Sequence, residues 1–458
     1  MMIAEDIEGI GACTHIGAFD SEKFWREDTL AKLPAMNDAN ANNIVLAMDE
    51  LQFVFCKQGD SLVTRYGMDP AHKTYLEKIG YSFLSNQKDL SDRYGMDKTQ
   101  KNKSVFQLLI ETENKEYFKK IIAEDSTLSA FAVIPFSEEV SDAYRMRVDV
   151  PAMDTIRKVN SKVYSTTLKE KIGIPNISRI ITSCKELQAV ADEYLGRYAI
   201  IIKDEYGVSG KGNLLVHSPA ILQRIISYLA SQEKRGKQLR FIIEPYLEKK
   251  LDFSCQFFIS NFGRFHLLSL QKILNSGFAY HGSFSIDEEL MRELEDSHYF
   301  NWMEKTAECL YKDGYYGHVC IDSMVLKNGE IVPIIEINAR KSMSLLKHYL
   351  DKYLHTFALK GNFTYISAAF QGRIVFEELL EQMEKEGLLF QSDRKRGIIP
   401  LTANTLFINR DTDHAYDAQK TYKGRLYFAA VGEHTQTILE DTQTMKTFME
   451  NRNFKIQC

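Results

Sequence analysis

The sequence predicts an α/β protein, and three observations support this prediction. Residues 1–150 alternate short apolar runs with polar helical stretches, and the run 130–135 is typical of a buried parallel strand that ends at a proline. The run 198–203 is a strongly apolar strand that leads directly into a glycine-bearing loop. Near residues 319–337, two further apolar runs carry acidic or amide side chains, which indicates a sheet that presents polar groups at one place.

The composition is that of an ordinary globular protein, and it argues against several classes of function. The chain has 458 residues, of which 44% are hydrophobic and 26% charged, so its length predicts about two or three domains. A net charge of −5 leaves no basic face for nucleic acid, and no apolar run reaches the roughly 20 residues that cross a bilayer. The seven cysteines are scattered without a CxxC pair, which argues against a disulfide framework or a zinc site. We expect a cytoplasmic protein, because the N-terminus lacks the basic start and apolar core of a signal peptide.

Changes in the pattern divide the chain into three expected domains. Residues 1–150 are expected to form a Rossmann-like α/β domain, with strands at 43–48 and 51–56. Only the first two glycines of a GxGxxG fingerprint are present, at Gly9 and Gly11, which argues against dinucleotide binding. The other expected units are a central domain at 151–365, with a lysine and glycine-loop lobe at 155–215 and a metal and hinge lobe at 240–355, and a small α+β domain at 366–458.

Asp322, Glu336 and Asn338 form the most informative pattern in the chain. Glu336 and Asn338 lie two residues apart on a predicted strand and so point to the same face, and a hairpin turn at 327–329 would bring Asp322 beside them. Acidic groups on strands are often solvated, but here the flanks are apolar, and burying an unpaired carboxylate is costly. Two carboxylates and an amide oxygen are ligands that magnesium prefers, usually together with nucleotide phosphates. The sequence therefore predicts a magnesium site on this hairpin.

Two features upstream of the hairpin suit a phosphate. Gly207, Gly210 and Gly212 make a flexible loop that can lay backbone N–H groups against phosphate oxygens, although a plain hairpin turn explains the loop alone equally well. The loop is not a P-loop, because its glycine, lysine and hydroxyl groups come in a different order and no helix follows. Lys203 ends the apolar strand before the loop, where an anion would offset its partial burial. An ordinary strand-end lysine is the alternative.

A third feature interrupts a strand at Glu244-Pro245. Proline removes a donor from the strand ladder, which leaves the backbone groups of Pro245 and Leu247 free to pair with the edge of an adenine. A simple bend in an edge strand explains the same residues. Each of these features is weak alone, and their order along the chain gives them their meaning.

Taken in order, the motifs resemble those of the ATP-grasp superfamily across residues 155–355. The motifs that carry the resemblance are Asn160-Ser161-Lys162, Lys203 with its glycine loop, Glu244-Pro245-Tyr246-Leu247, Asp322, and Glu336-Ile337-Asn338-Ala339-Arg340. The resemblance is quite specific because the whole series is present in sequence. It implies an ATP-grasp fold with an N-terminal Rossmann-like pre-ATP-grasp domain and a small α+β C-terminal domain.

The resemblance also implies a role for each residue. The implied ATP contacts are Lys162 and Lys203 at the phosphates, the flap residues Gly207, Ser209, Gly210 and Gly212, and Glu244, Tyr246, Leu247 and Asp252 around the adenosine. The implied ligands of two magnesium ions are Asp322, Glu336 and Asn338. The implied catalytic residues are Lys203, Lys211 and Arg340, of which Arg340 steadies an acyl phosphate and its oxyanion. One departure is that Asp322 stands where many members have Glu, which preserves metal binding and shortens the reach of the carboxylate.

The activity that the resemblance implies is a stepwise, ATP-dependent ligation. A substrate carboxylate attacks the γ-phosphate of ATP, and an amine then displaces phosphate from the acyl phosphate through a tetrahedral intermediate. The candidate residues on the substrate side are Gln271, Lys272, Tyr280, His281 and Arg340. Lys341 and Ser342 are candidate contacts to a carboxylate, with helix-start residues as the alternative. A histidine on a surface loop is the alternative interpretation of His281. The expected partners are a small carboxylate and an amine or amino acid, and a homodimer stays open.

Within the superfamily, the long N-terminal and C-terminal regions are similar to those of ligases from natural-product pathways. Two groups are relevant: the pheganomycin-type peptide ligases and the butirosin-type ligases that load glutamate onto an acyl carrier protein. This similarity implies peptide-bond formation in antibiotic biosynthesis, with loading of a carrier-protein thiol as the alternative. An ATP-grasp kinase and a non-catalytic nucleotide-binding protein are the remaining alternatives.

Overall fold

The computed structural model describes residues 11–35, 38–91, 93, 99–113, 115–207, 212–276, 279–411 and 417–457. Its strands are β1 (Cys13–Ile16), β2 (Ser61–Val63), β3 (Leu84–Ser85), β4 (Thr127–Ala130), β5 (Arg179–Ile181), β6 (Ile200–Asp204), β7 (Asn213–Val216), β8 (Phe241–Pro245), β9 (Lys249–Ile259), β10 (Phe265–Ser276), β11 (Ala279–Ser285), β12 (Gly317–Leu326), β13 (Ile331–Asn338), β14 (Lys360–Gly361), β15 (Phe363–Phe370), β16 (Gly397–Pro400), β17 (Tyr422–Gly432) and β18 (Lys455–Gln457). Its α-helices are α1 (Glu22–Trp25), α2 (Ala39–Leu46), α3 (Pro70–Lys78), α4 (Val105–Glu111), α5 (Lys115–Phe118), α6 (Ser137–Tyr144), α7 (Met153–Val159), α8 (Lys162–Lys171), α9 (Cys184–Leu195), α10 (Pro219–Glu233), α11 (Glu288–Asp296), α12 (Tyr299–Lys312), α13 (Met343–His355), α14 (Phe376–Lys385), α15 (Asn404–Asp411) and α16 (Thr435–Glu450). Two 3-10 helices span Met48–Phe55 and Gln100–Asn102.

The N-terminal region contains a parallel four-stranded sheet in the order β3-β2-β1-β4, as the α/β pattern predicts. The strands predicted at 43–48 and 51–56 are wrong, because these runs fall mainly in α2 and in the 3-10 helix Met48–Phe55. Periodicity does not distinguish a buried strand from a buried helix in such short apolar runs. Asp38 favours the helix in the first case, since its side chain accepts a hydrogen bond from Ala41 N and caps α2.

The strand predicted at 130–135 is displaced towards the N-terminus. The parallel strand β4 ends at Ala130, where the predicted strand begins. The next residue, Phe131, accepts a backbone hydrogen bond from Lys341 N at 3.0 Å. Phe131 N also donates to Ile16 O on β1 at 2.9 Å, so the pairing continues for one hydrogen bond beyond β4 before the chain contacts the segment that follows β13.

A second, antiparallel sheet in the order β5-β8-β6-β7 carries Lys203. Helices α9 and α10 pack with it, and each begins at a serine whose side chain caps the first turn. We call this sheet, with α9 and α10, the lysine lobe. It has its own apolar core, which includes Ile202, Leu222 and Leu229.

The third sheet is antiparallel and larger, with the order β13-β12-β9-β10-β11-β15-β17-β14, while β16 pairs with β17 and β18 with β15. The predicted hairpin is present as β12–β13, and Gly329 in its turn has a φ of +85°, which suits glycine. The C-terminal strands continue this sheet, so the expected boundary between 365 and 366 falls inside β15. The division of the chain into domains stays a prediction.

The largest apolar core extends from the N-terminal region through the large sheet to the C-terminal region. The separate core of the lysine lobe leaves a cleft where the lobe faces the β12–β13 hairpin. In the ranges given above, no helix combines the length and the apolar character required to traverse a bilayer.

Candidate functional site

A large cavity lies between the lysine lobe, the β12–β13 hairpin and the N-terminal region. Its volume is about 870 Å³, which is in the range of small-molecule binding sites. The predicted residues that line it are Lys162, Lys203, Gly207, Gly212, Glu244, Tyr246, Leu247, Asp252, Asp322, Glu336, Asn338 and Arg340. Residues that are far apart in the sequence thus meet at one cleft.

The β12–β13 hairpin places the predicted metal ligands side by side. Asp322 lies directly opposite Glu336 in the antiparallel register, and Asn338 is on the same face two residues later. The amide of Asn338 donates from Nδ2 to Asp322 Oδ2 at 3.0 Å. Burial, assisted by the like charge of Glu336, raises the pKa of Asp322 to about 7. The hairpin thus concentrates negative charge at a partly desolvated point.

This set of donors fits a divalent cation such as magnesium. Two carboxylates directly opposite each other destabilise a sheet unless positive charge lies close by, and this repulsion adds to burial in raising the pKa of Asp322. The available donors are oxygens, as magnesium prefers. Among the described residues, no group of three or more His, Cys, Asp and Glu side chains is arranged to hold a metal. An ion on this hairpin therefore relies on Asn338 or on oxygens of a bound ligand besides the two carboxylates.

Lys162 approaches the hairpin from the first turn of α8. Ser161 caps this helix by accepting a hydrogen bond from Val163 N. The Lys162 ammonium pairs with Glu336 Oε1 at 2.7 Å and donates to Gly207 O at 3.2 Å. Lys162 therefore contacts both the metal-ligand face and the start of the glycine loop.

Two side chains, from Ser165 on α8 and from Asn160 just after α7, accept hydrogen bonds from backbone N–H groups along the outer edge of β13. Ile337 N donates to Ser165 Oγ at 3.2 Å, and Ala339 N donates to Asn160 Oδ1 at 2.9 Å. Because β13 is the terminal strand of its sheet, these N–H groups lie on the side without a strand neighbour. The start of α8 is thus fixed to the strand that carries Glu336.

Lys203 and Glu244 form an ion pair in the lysine lobe. They lie on the neighbouring strands β6 and β8, and their side chains are 9% and 14% exposed. Glu244 Oε2 also accepts a hydrogen bond from Ser178 Oγ at 3.0 Å. Burial raises the pKa of Glu244, but the positive charges of Lys203 and Lys169 outweigh burial and lower it overall. The unliganded cleft thus holds Lys203 on a carboxylate.

The chain leaves β8 at Pro245, where the sequence predicts a break. Tyr246 N still donates to a backbone carbonyl at 2.7 Å, so regular pairing ends one residue beyond the proline. Within the part of the chain that the structure describes, the Leu247 N–H has no backbone acceptor, and Leu247 lines the cavity. Asp252 lines the cavity too and accepts a hydrogen bond from Asn275 Nδ2 at 2.6 Å. The Leu247 N–H is therefore available to the edge of a planar base, whereas Asp252 already pairs with Lys249.

Arg340 is the second residue after β13 and connects the hairpin to the N-terminal region. Its guanidinium donates to Glu22 Oε1 at 2.6 Å and to Asn338 Oδ1 at 3.2 Å. Burial lowers the pKa of Arg340, but the carboxylate of Glu22 outweighs burial and raises it overall, so Arg340 stays protonated. The sequence does not single out Glu22, because an isolated acid in a short helix is usually solvated.

Of the predicted substrate-side residues, Tyr280, Arg340 and Ser342 line the cavity and the others do not. The residues of this group that do not line the cavity are Gln271, Lys272, His281 and Lys341. Gln271 donates to Asp351 Oδ2 at 3.4 Å, and Lys341 donates to Ser129 Oγ at 2.6 Å, so both serve polar groups elsewhere in the fold. The ring of His281 packs against a tyrosine ring at 4.9 Å. Ser209, Gly210 and Lys211 lie outside the described residues.

The cavity wall contains a lysine that the sequence argument does not include. Lys169 is on α8 seven residues after Lys162, and two helical turns bring both to the same side of the helix. Its ammonium donates to Ser178 Oγ at 3.0 Å, and the residue is only 6% exposed. The spacing of two lysines by seven on a predicted helix is the signal that points to Lys169.

The cleft therefore brings two kinds of charge together. Ammonium groups come from α8 and the lysine lobe, and carboxylates come from the hairpin. Such a site suits a polyanion that is bound together with a divalent cation, because each charge finds an opposite partner. Arg340 adds a fixed cation beside the carboxylates, where a second anionic group can bind.

No protein-family model matches the chain. Among curated proteins, it is similar to the butirosin acyl-carrier protein–L-glutamate ligase of Niallia circulans, with 25% identity over 225 residues. The match covers 46% of this chain and 52% of that protein, so the chain spans about half the length of this relative.

Two solved structures resemble the chain over nearly its whole length. The biotin carboxylase of Campylobacter jejuni, in a β-γ-ATP complex, has a TM-score of 0.51 with 13% identity, over 97% of this chain and 92% of that one. The biotin carboxylase domain of the Hydrogenobacter thermophilus 2-oxoglutarate carboxylase has a TM-score of 0.52 with 12% identity, over 97% of this chain and 90% of that one. These likenesses confirm the predicted fold class: the chain has the ATP-grasp fold.

Proposed function

We propose that this protein is an ATP-dependent ligase that activates a carboxylic acid as an acyl phosphate and transfers the acyl group to an amine. One observation carries the proposal: a single cleft of an ATP-grasp fold joins two lysines, a carboxylate hairpin and a buried arginine. The solved biotin carboxylase complex with β-γ-ATP supports a nucleotide as the ligand of this cleft.

The nucleotide fits the cleft by replacing interactions that the cleft makes with itself. The base lies against the Leu247 N–H, and the triphosphate lies between Lys162 and Lys203. Each of these ammonium groups faces a carboxylate in the free protein, so on binding it exchanges a contact with a carboxylate for a contact with a phosphate. The two lysines neutralise the charge of the triphosphate and orient it towards the hairpin.

Magnesium held by Asp322, Glu336 and Asn338 would supply charge neutralisation to the transferring phosphoryl group when it is bound. Arg340 receives the acid, because its guanidinium is positioned beside Asn338 and can hold a carboxylate oxygen. The other carboxylate oxygen attacks the γ-phosphorus, the bond to the bridging oxygen breaks, and ADP leaves.

In the second half of the reaction, the amine nitrogen attacks the acyl carbon, phosphate leaves, and the nitrogen loses a proton. Arg340 holds the oxyanion of the tetrahedral intermediate, and Glu22 keeps the guanidinium in place by an ion pair at 2.6 Å. A fixed, pre-oriented cation stabilises a developing negative charge better than a mobile one does, because it needs no reorganisation.

The relative from Niallia circulans favours a second acceptor. Its name describes a ligase for an acyl-carrier protein and L-glutamate. We therefore propose a carrier-protein thiol as the second candidate acceptor, with the same acyl phosphate as the donor. A role in natural-product biosynthesis is part of this proposal and is supported by the same relative.

The experiment that tests the function follows oxygen from the acid. The protein is incubated with ATP, magnesium and pooled ¹⁸O-carboxylate amino acids, with and without added amines or acyl carrier proteins. We expect ADP formation that depends on an acid, and inorganic phosphate that carries one ¹⁸O atom, because the acyl phosphate leaves its bridging oxygen on phosphate. Product mass then identifies an amide or a thioester.

Two variants and two alternative products complete the experiment. Asp322→Asn is expected to abolish ADP formation, whereas Asp296→Asn, at an exposed position, is expected to leave it unchanged. AMP and pyrophosphate as products would contradict the acyl-phosphate route. A stable phosphorylated product without ligation would identify a kinase, and nucleotide binding without turnover for any acid would favour a non-catalytic protein.

A further inference from the structure

Lys203 and Lys162 face the same difficulty when a nucleotide binds. Each lysine neutralises a carboxylate in the free protein, so moving an ammonium to a phosphate exposes the partner that it leaves. Removing one partner from a buried ion pair is costly, because the remaining charge is left without compensation in a medium of low dielectric constant. Each carboxylate therefore needs a replacement for its lysine.

The two carboxylates differ in the replacement that is available. Glu336 lies opposite Asp322 on the hairpin, where a bound magnesium ion would take over from Lys162. Glu244 lies on β8 inside the lysine lobe, and its polar partners among the described residues are Lys203 and Ser178. A metal on the hairpin does not serve Glu244, which needs a cation of its own when Lys203 moves.

Lys169 is placed to be that cation. Its ammonium donates to Ser178 Oγ at 3.0 Å, and Ser178 Oγ in turn donates to Glu244 Oε2 at 3.0 Å. Lys169 is 6% exposed and, within the described residues, has no ion pair with a carboxylate. The Ser178 hydroxyl thus separates the Lys169 ammonium from the Glu244 carboxylate. Lys169 has no direct counter-ion among the described residues, and Glu244 depends on Lys203.

We propose that Lys169 is the reserve counter-ion of Glu244, which takes over its charge through Ser178 when a nucleotide draws Lys203 onto its phosphates. Lys169 is then a positioning residue: it allows Lys203 to leave the lobe without stranding a buried carboxylate. This inference rests on the proposed nucleotide site, and it adds a third lysine whose contribution appears only when phosphates are present.

The protonation of Lys169 supports this role. The pKa of Lys169 is lowered overall to about 8. Burial has the largest effect and lowers the pKa; Glu244 and Glu170 raise it, and the nearby Lys203 lowers it. When Lys203 moves away, one repelling charge is removed, so the pKa of Lys169 rises towards its ordinary value. A group whose pKa rises on binding takes up protons at pH values between the two pKa values. Nucleotide binding is therefore expected to take up protons between about pH 8 and pH 10.

The test compares ATP with adenosine, because adenosine lacks the phosphates that move Lys203. Binding of both is measured by calorimetry for the wild type, Lys169→Met, Lys169→Arg and Ser178→Ala, with Lys171→Met as the control on an exposed position of the same helix. We expect Lys169→Met to weaken ATP binding about tenfold or more, as for a charged hydrogen bond. Adenosine binding is expected to change much less, Lys169→Arg to restore most of the ATP affinity, and Ser178→Ala to lie between Lys169→Met and the wild type.

Each outcome decides for or against the proposal. Equal ATP affinities for the wild type and Lys169→Met overturn it, and so does an equal loss for ATP and adenosine, which would indicate a merely structural role. Proton uptake at pH 9, measured in buffers of different ionisation enthalpy, is expected to fall in Lys169→Met and to persist in Lys171→Met, and an unchanged value contradicts the exchange. A wild type that binds neither nucleotide rejects the proposed function itself, whereas a wild type that binds ATP with an unaffected Lys169→Met rejects this inference alone.

Discussion

The β12–β13 hairpin and the lysine lobe face each other across the cleft and differ in charge and in support. The hairpin carries carboxylates and belongs to the large sheet, whose core is continuous with the N-terminal and C-terminal regions. The lysine lobe carries Lys203 on a four-stranded sheet with a small core of its own. The proposed metal ligands thus lie on the larger core, whereas Lys203 and its partner Glu244 lie on the smaller one. This difference teaches that the lysine lobe can be destabilised separately from the metal ligands, because the two regions have separate cores.

Loss of a carboxylate from the hairpin is expected to have the largest effect on activity. Glu336→Gln is expected to lower turnover by at least about a thousandfold while the fold is retained, because it removes a metal ligand and the partner of Lys162. The measurement is acid-dependent ADP release together with thermal unfolding. Glu330→Gln, at an exposed position in the same hairpin, is the matched control. Equal turnover by the two variants would contradict the assignment of Glu336 as a metal ligand.

The separate core of the lobe can be tested by a cavity-forming substitution. Leu229→Ala removes a fully buried side chain from this core and is expected to destabilise the lobe by about 3 kcal/mol. Amide hydrogen exchange is expected to quicken in β6 and β8 and to stay unchanged in β9 and β12. Leu215→Ala, where the side chain is 40% exposed, is the control. Equal quickening in both sheets would show that the two regions unfold as one.

Arg340 tests the hairpin side of the cleft without removal of a proposed metal ligand. Arg340→Ala is expected to lower kcat by about a hundredfold, because a stabilising cation is lost at the reacting carboxylate. The affinity for ATP is expected to change little, since Arg340 lies beside Asn338 and away from the lobe. Kinetics at saturating ATP check this, with the exposed Arg197→Ala as control. A large loss of ATP affinity with an unchanged kcat would place Arg340 at the nucleotide.

Substitution of Lys203, in the lysine lobe, is expected to have the smallest effect of the four. Lys203→Ala is expected to weaken ATP binding about tenfold, since one charged contact is lost while Glu244 also loses its partner. Nucleotide titration measures the change, and Lys185→Ala on an exposed position of α9 serves as control. If both proteins bind ATP with the same affinity, Lys203 is not a phosphate contact.

The sequence predicted the hairpin side of the site well, because strand geometry determines it locally. A period of two puts Glu336 and Asn338 on one face, and a glycine turn sets Asp322 opposite Glu336. The lysines at 162 and 203 reach the same cleft, as the ATP-grasp resemblance implies. The fold class is confirmed by the likeness to two biotin carboxylase structures.

The errors lie where tertiary contacts decide. The runs 43–48 and 51–56 are short and apolar, so sequence periodicity could not separate a strand from a buried helical segment. Gln271 and Lys341 lie close in sequence to residues that line the cleft. Their hydrogen-bond partners, however, are on α13 and β4. The sequence argument did not include Lys169 or Glu22, because each gains its meaning from a partner on a distant element. The domain boundaries, the cytoplasmic location and a homodimer stay predictions.

Helix α8 spans the cleft and is attached at both ends. Its first half is bonded to the edge of β13 through Ser165, and Lys169 in its second half is bonded to Ser178 beside β5. Lys162 and Lys169 are seven residues apart, which corresponds to about 10.5 Å along a rigid helix. The helix therefore fixes the distance between the backbone positions of the two lysines. A phosphate bound at Lys162 and the reserve charge beside Glu244 are thus held a fixed distance apart, because one helix carries both lysines.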